Sequence, residues 1–169
     1  FLPKNACIML AGGISNYLQQ EYSSKKIWGV KLWAKAWPLG NLSDDNLAGL
    51  IEKSEVIVLP IVRGVGSNLK TAEAILADKK VVATSLALRT FEVYNKLPNI
   101  YIADSMQDFK QAINKTINLR KIQRTSEQEA LAQNVQWKYC LAPLKQELEI
   151  MVDGKLKVLL RRVKHKLNF

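Results

Sequence analysis

The sequence predicts an α/β fold built on a mostly parallel, doubly wound sheet, and three observations carry the prediction. Apolar runs of strand length recur at residues 6–11 (ACIMLA), 27–33 (IWGVKLW), 56–59 (VIVL), 81–84 (VVAT) and 100–103 (IYIA). Amphipathic stretches of helical length lie between most of them. The connections are short and rich in Gly, Pro, Ser and Asp. Strands alternating with helices in this way are the signature of βα units, whose short crossovers force neighbouring strands to be parallel. At 169 residues, 48% hydrophobic and 24% charged, the chain has the composition of an ordinary globular domain and enough length for its own core. That composition excludes disorder, collagen and a disulfide scaffold.

In chain order, the first apolar run stops at Gly12 and Gly13, and residues 14–22 (ISNYLQQEY) follow as a helix. Residues 27–33 alternate as a second strand, after which Pro38 and Gly40 punctuate the chain. Ser43 followed by Asp44 and Asp45 opens a helix to about Lys53. The hydroxyl caps early amides, the carboxylates suit the positive helix end, and Leu47, Leu50 and Ile51 share one face. Val56–Leu59 is continuously apolar up to Pro60, as a parallel strand covered on both faces requires. A loop with Gly64 and Gly66 leads to a helix over 68–77 with Leu69, Ala72 and Leu76 inward, and Asp78-Lys79-Lys80 turns into the strand at 81–84. After the strand at 100–103, Ser105 opens a helix over 106–117. Two helices complete the chain, at about 125–150 and 154–168, separated at Asp153-Gly154. This gives a main domain over 1–150 and a terminal helix over 151–169.

Several functional classes drop out on composition. Cys7 and Cys140 are far apart and form no CxxC, so no zinc or thiol redox motif is written here, and each reads as a small buried hydrophobe. His165 is the only histidine, which removes any mechanism needing two, and it reads as a solvated residue of a basic helix. No apolar run approaches the roughly 18 residues of a transmembrane helix, and the first strand lacks a signal peptide's basic flank. A cytoplasmic chain is expected. It begins with Phe1 and not Met, which points to an excised or processed piece.

In an open α/β sheet, ligands bind beyond the carboxyl ends of the strands, so the loop after Val56–Leu59 is the place to look. Gly64 and Gly66 permit positive φ and close approach of backbone to a ligand. Ser67 or Asn68 is placed to cap the next helix. The first amides of that helix, together with its dipole, suit a phosphate. Arg63 and Lys70 add positive charge, and Glu73 stands where a carboxylate accepts hydrogen bonds from the hydroxyls of a ribose. Phosphate plus sugar diol describes a nucleotide. A tight strand–helix turn accounts for the two glycines equally well, because no Walker Gly-Lys-Ser/Thr follows and the loop is not after the first strand. Trp28, Trp33 and Trp37 offer stacking for a base or, more commonly for such residues, core packing. Thr84, Ser85 and Arg89 lie where they either line the cleft mouth or cap the chain after a strand.

The run Glu55-Val-Ile-Val-Leu-Pro-Ile, continuing through Gly66-Ser-Asn-Leu-Lys-Thr-Ala-Glu-Ala74 to Lys79-Lys-Val-Val-Ala-Thr-Ser85, resembles the donor-binding domain of GT-B glycosyltransferases. The likeness is to the retaining, Leloir-type group 1 enzymes that build cell-surface polysaccharides. Leu39 to Leu47, Arg89-Thr-Phe-Glu92, Ile102-Ala-Asp104, the helix with Phe109, and Trp137 follow in family-like order, so the likeness covers roughly residues 6–148. It implies a Rossmann-like sheet forming one half of a GT-B fold. It also implies a nucleotide-diphosphate-sugar donor, transfer with retention, no obligatory cofactor or metal, and a partner acceptor domain on the N-terminal side. Glu73 matches the second Glu of the family's Glu-x7-Glu motif, which binds ribose. The first Glu position holds Val65, leaving the contact with the transferred sugar unassigned, and a Gly-Ser/Thr form of the loop lacking that Glu also occurs in the family. Gly12 and Gly13 match the glycine turn near the donor diphosphate, and Asp78 stands in for a turn glycine. No catalytic base or nucleophile is identified. The competing reading is a non-catalytic nucleotide-binding or scaffold module of the same fold.

The formal charge of +10 is unevenly placed. Six positive charges and no acid lie in residues 154–169, so the rest of the chain carries +4 of that total. Leu156, Leu159, Leu160, Val163 and Leu167 recur there at helical spacing. Such a helix reads as interfacial on an anionic membrane, here the inner face, or as a terminal helix packed on the missing domain or another chain. Nucleic acid is disfavoured, because no recognition motif is present and no aromatics interleave the basic stretch.

Overall fold

The computed structural model describes residues 6–24, 35–64 and 68–167, with backbone alone at 19, 21–24 and 158–167. The expected strand at 27–33, with Trp28 and Trp33, and the loop residues Val65, Gly66 and Ser67 lie outside the described residues, as does the side chain of His165. The chain divides into two compact units, Phe1–Arg124 and Thr125–Phe169.

The first unit is α/β and Rossmann-like, with every strand pairing parallel. Strands β1 (Ile8–Ala11) and β2 (Ala36–Gly40) form one ladder, and β3 (Val56–Leu59), β4 (Lys80–Ala83) and β5 (Ile100–Ile102) form another in the order β3-β4-β5. Between them run α1 (Gly13–Ser24), α2 (Asp44–Lys53), α3 (Leu69–Leu76) and a 3₁₀ turn (Glu92–Lys96), and α4 (Met106–Ile117) follows β5. Central strand β4 is buried along its whole length, whereas β3, expected to be covered on both faces, buries only Leu59 and leaves Val58 exposed. Val82 packs with Ala103 and with Phe109 and Ile113 of α4, flanked by Val56, Tyr101 and Ala112.

The capping signals read at Ser43 and Ser105 act as expected. The Ser43 hydroxyl accepts from the Asn46 amide at 3.4 Å, and the Ser105 hydroxyl accepts from the Asp108 amide at 3.1 Å. Two differences lie close to the candidate site. Pro38 and Gly40, read as punctuation, are inside β2. Leu10 pairs with Pro38 and Ala11 with Gly40, so Leu39 is skipped in a bulge, a setting that accommodates a residue lacking an amide proton. In α3 the buried face is Thr71, Ala74 and Ile75, whereas Leu69 is half exposed and Ala72 and Leu76 are only partly covered. The helix is rotated relative to its apolar pattern because the polar Thr71 has a buried partner, described below.

The second unit holds α5 (Ser126–Gln133), α6 (Trp137–Cys140) and α7 (Ala142–Leu167). α5 opens with a capping box in which Thr125 and Gln128 satisfy one another's backbone amides. One helix expected over 125–150 is therefore three elements. The break expected at Asp153-Gly154 is absent: α7 runs 26 residues through Gly154 and through the expected boundary at 150–151. A single interior glycine costs about 1 kcal/mol relative to alanine and does not stop a helix unless other signals agree. Both cysteines are exposed, contrary to expectation, and the Cys140 thiol reaches the Asn134 carbonyl at 3.2 Å.

Candidate functional site

Parallel pairing puts the carboxyl ends of β3, β4 and β5 on one edge, so the segments at 60–64, 84–91 and 103–105 leave from the same side. Hydrogen bonds tie them together. The Thr84 hydroxyl donates to the Ile61 carbonyl at 2.6 Å and accepts from the Ala87 amide at 3.1 Å, linking the exits of β3 and β4. The amide and hydroxyl of Ser85 both donate to Asp104 Oδ1, at 2.8 and 2.9 Å, which links β4 to β5.

Asn68 stands at the N-cap of α3, but its side chain makes no capping bond there. Instead Nδ2 donates to the carbonyls of Leu86 and Ala87, at 3.2 and 3.1 Å, and Thr71 Oγ1 donates to the same Ala87 carbonyl at 2.6 Å. Of the two expected caps, Ser67 or Asn68, Asn68 does not cap the helix through its side chain, and Ser67 lies outside the described residues. The Asn68 amide donates instead to carbonyls of the 84–91 segment, where buried polar groups are paired within the protein. This anchorage turns Thr71, Ala74 and Ile75 inward and leaves Lys70 and Glu73, three apart on the helix, as exposed surface neighbours.

Gly64 has φ +127°, a conformation that side-chain-bearing residues rarely adopt, and its carbonyl accepts from Arg89 Nη1 at 2.5 Å. Arg89 is therefore brought to the glycine loop. The following residue, Thr90, has φ +68°, unusual for a β-branched side chain, and its amide donates to Glu92 Oε1 at 3.0 Å. Arg63 is exposed beside Gly64. The edge therefore presents Arg63, Arg89 and Lys70 around the start of α3, with Glu73 one turn in. A helix N-terminus with cations beside it attracts an anion, and an exposed carboxylate on the same helix is available to hydroxyl donors.

Gly12 and Gly13 form a second strand–helix junction, at the end of β1. Gly12 has φ +89°, and the buried Ser15 organises the turn. The Ser15 hydroxyl donates to the Gly12 carbonyl at 2.9 Å and accepts from the Gly40 amide at 2.7 Å, joining the exits of β1 and β2. Trp37, in β2, is exposed. Sequence reasoning placed Thr84, Ser85 and Arg89 near this edge but gave Asp104 no task. The signal was its position just after the apolar run Ile100–Ala103, where a carboxylate meets amides of the neighbouring strand exit.

The amino ends of the same strands carry a charged network instead. Buried Arg124 donates through Nη2 to the Ile75 carbonyl at 2.6 Å and through Nε to Asn99 Oδ1 at 3.2 Å, and it lies 3.4 Å from Asp78 Oδ1. Lys121 pairs with the other Asp78 oxygen at 2.9 Å, and buried Lys80 donates to the Leu119 carbonyl at 2.7 Å. A cleft of about 140 Å³ lies among Glu55, Asp78, Lys79, Lys80 and Lys121. Its cations are engaged with carbonyls and carboxylates of the protein: the Lys79 ammonium itself donates to the Glu52 carbonyl at 2.5 Å. Asp78, at φ +50°, adopts the left-handed turn conformation expected of a residue in a glycine's place. Among the described residues no cluster of His, Cys, Asp and Glu is arranged to hold a metal ion.

No family model matches the chain, and no curated protein matches it either.

Proposed function

We propose that this chain is the nucleotide-diphosphate-sugar-binding half of a retaining, Leloir-type glycosyltransferase, acting in polysaccharide or glycoconjugate synthesis together with an acceptor-binding domain. The observation that carries the reading is the junction between β3 and α3. There Asn68 and Thr71 pin the helix start to the 84–91 segment while Arg89 reaches the Gly64 carbonyl. Such pinning pre-organises the helix end, so little conformational entropy is lost when an anion arrives.

In this reading the first amides of α3 and the Lys70 ammonium receive the donor diphosphate, with Arg63 and Arg89 adding positive potential. Glu73 accepts hydrogen bonds from the ribose hydroxyls. Gly12 and Gly13 leave room for the diphosphate at the second junction. Negative charge builds on the nucleoside diphosphate as the glycosidic bond breaks, and fixed amide dipoles aimed at that charge lower the barrier without reorganising. The residues present neutralise the leaving group with cations and dipoles of the protein itself, so the donor needs no resident cofactor or metal. The reacting sugar carbon would be met by groups of the acceptor-binding domain, and no residue here is assigned as catalytic.

Isothermal titration of the full chain against a panel of nucleoside diphosphates and nucleotide-diphosphate sugars tests the reading. One-to-one binding is expected for at least one nucleotide, with ribose preferred over its dideoxy counterpart. Glu73→Gln should remove that preference, a loss of about tenfold in affinity for the ribose form, worth about 1.4 kcal/mol. Silence across the whole panel would sink the donor-site assignment.

A further inference from the structure

We infer that the carboxyl-terminal half of α7 is a docking element for an anionic lipid surface. The helix backbone is continuous from Ala142 to Leu167, so the sequence positions of its second half can be placed around one axis. At 3.6 residues per turn, Leu156, Leu159, Leu160, Val163 and Leu167 fall within an arc of about 100°. The six cations of this half bracket that arc. Lys155, Arg162 and Lys166 take register positions along one flank, and Lys157, Arg161 and Lys164 along the other. No carboxylate interrupts either row. An apolar arc with cations on both sides fits a helix lying in the plane of a bilayer. Helices of that pattern bind with the apolar arc at the acyl boundary and the flanking cations at the level of the headgroup phosphates. Among the described residues no helix is long and apolar enough to cross a membrane, so the contact would be along the surface.

The first half of α7 argues for lipid over a second copy of the chain. There Leu144, Leu148, Met151 and Val152 are exposed on an arc rotated by about a quarter turn from that of the second half, and exposed Ile150 stands on nearly the opposite side. A straight partner helix cannot follow both arcs. In parallel pairing, moreover, six cations would face six. Glu147, Glu149 and Asp153 confine the acid of α7 to this first half, so attraction to an anionic surface begins where the basic rows begin.

The test is co-sedimentation of the full chain with phosphatidylcholine vesicles and with vesicles containing about one-third phosphatidylglycerol. Binding to the anionic vesicles should exceed that to neutral ones by at least about tenfold, and should fall steeply between about 0.1 and about 0.5 M salt. Lys157→Glu with Arg161→Glu and Lys164→Glu removes one basic row and should cost about tenfold or more on anionic vesicles. Leu159→Asp with Val163→Asp should abolish binding. Both variants lie outside the α/β unit, whose thermal unfolding should be unchanged and serves as the control for folding. Equal partitioning to neutral and anionic vesicles overturns the proposal, as does binding that survives Leu159→Asp with Val163→Asp. Failure to bind vesicles accompanied by reversible self-association in sedimentation velocity also overturns it, and would assign the helix to a second copy.

Discussion

The Ala87 carbonyl is fully buried and accepts two hydrogen bonds, one from Asn68 Nδ2 and one from Thr71 Oγ1. Two donors on one acceptor make a prediction about how substitutions combine. Thr71→Val removes one neutral hydrogen bond while the acceptor keeps Asn68, so it should cost about 1 kcal/mol. Asn68→Ala removes two, to Leu86 and Ala87, and should cost about 2 kcal/mol. The double variant leaves the Ala87 carbonyl without either side-chain donor in a dry interior. An unsatisfied buried acceptor adds about 1–3 kcal/mol, so the pair should cost more than the sum of the singles. A coupling above about 0.5 kcal/mol is expected, since contacting residues that share a partner are rarely additive. Urea unfolding of the three variants, read by backbone amide exchange at Val81–Ala83 in the core strand, measures the α/β unit without interference from α5–α7. Additive costs, or a double variant less damaged than the sum, would refute the shared-acceptor reasoning and with it the account of why α3 is rotated.

Two further predictions concern other parts of the same unit. Arg124→Gln withdraws a buried guanidinium from the Ile75 carbonyl, Asn99 and Asp78, and should destabilise by about 3 kcal/mol in thermal unfolding, while nucleotide affinity at the opposite edge stays unchanged in the refolded fraction. Thr90→Gly removes a β-branched residue from φ +68° and should stabilise by up to about 1 kcal/mol, visible as a raised midpoint in the same melts.

Elements were legible where local chemistry and tertiary demand agree. Helix α4 was read over 106–117, its observed bounds, because Ser105 caps it and Phe109 and Ile113 mark its buried face. Strand β3 matched in its bounds, being continuously apolar and closed by Pro60, but not in its burial, since only Leu59 is buried and Val58 is exposed. Illegibility began where a distant partner decides. The bulge that admits Pro38 into β2 depends on pairing with β1, and no local signal announces it. Asn68 reads as a cap because asparagine caps helices, but carbonyls nearly twenty residues on claim its amide. Lys80 reads as the last residue of a turn before the strand at 81–84, yet it begins the central strand and is buried, its ammonium on the Leu119 carbonyl. Of the candidate site, the order of Arg63, Gly64, Lys70 and Glu73 along one loop and helix is legible in the sequence, and the structure leaves all four exposed. The role of Arg89 as their neighbour is visible only once β3 and β4 are side by side.

The chain leaves the α/β unit directly after Arg124, a side chain 2% exposed and bonded to Ile75 and Asn99. That residue is a mechanical anchor. Tension applied through residues 125–167, for instance by a surface gripping α7, enters the fold at the amino ends of β4 and β5. The load is taken there by Arg124, Asn99 and Asp78. The loops of the candidate site hang from the other end of the same strands, so a load on the tail and a ligand at those loops would act on different ends of the sheet.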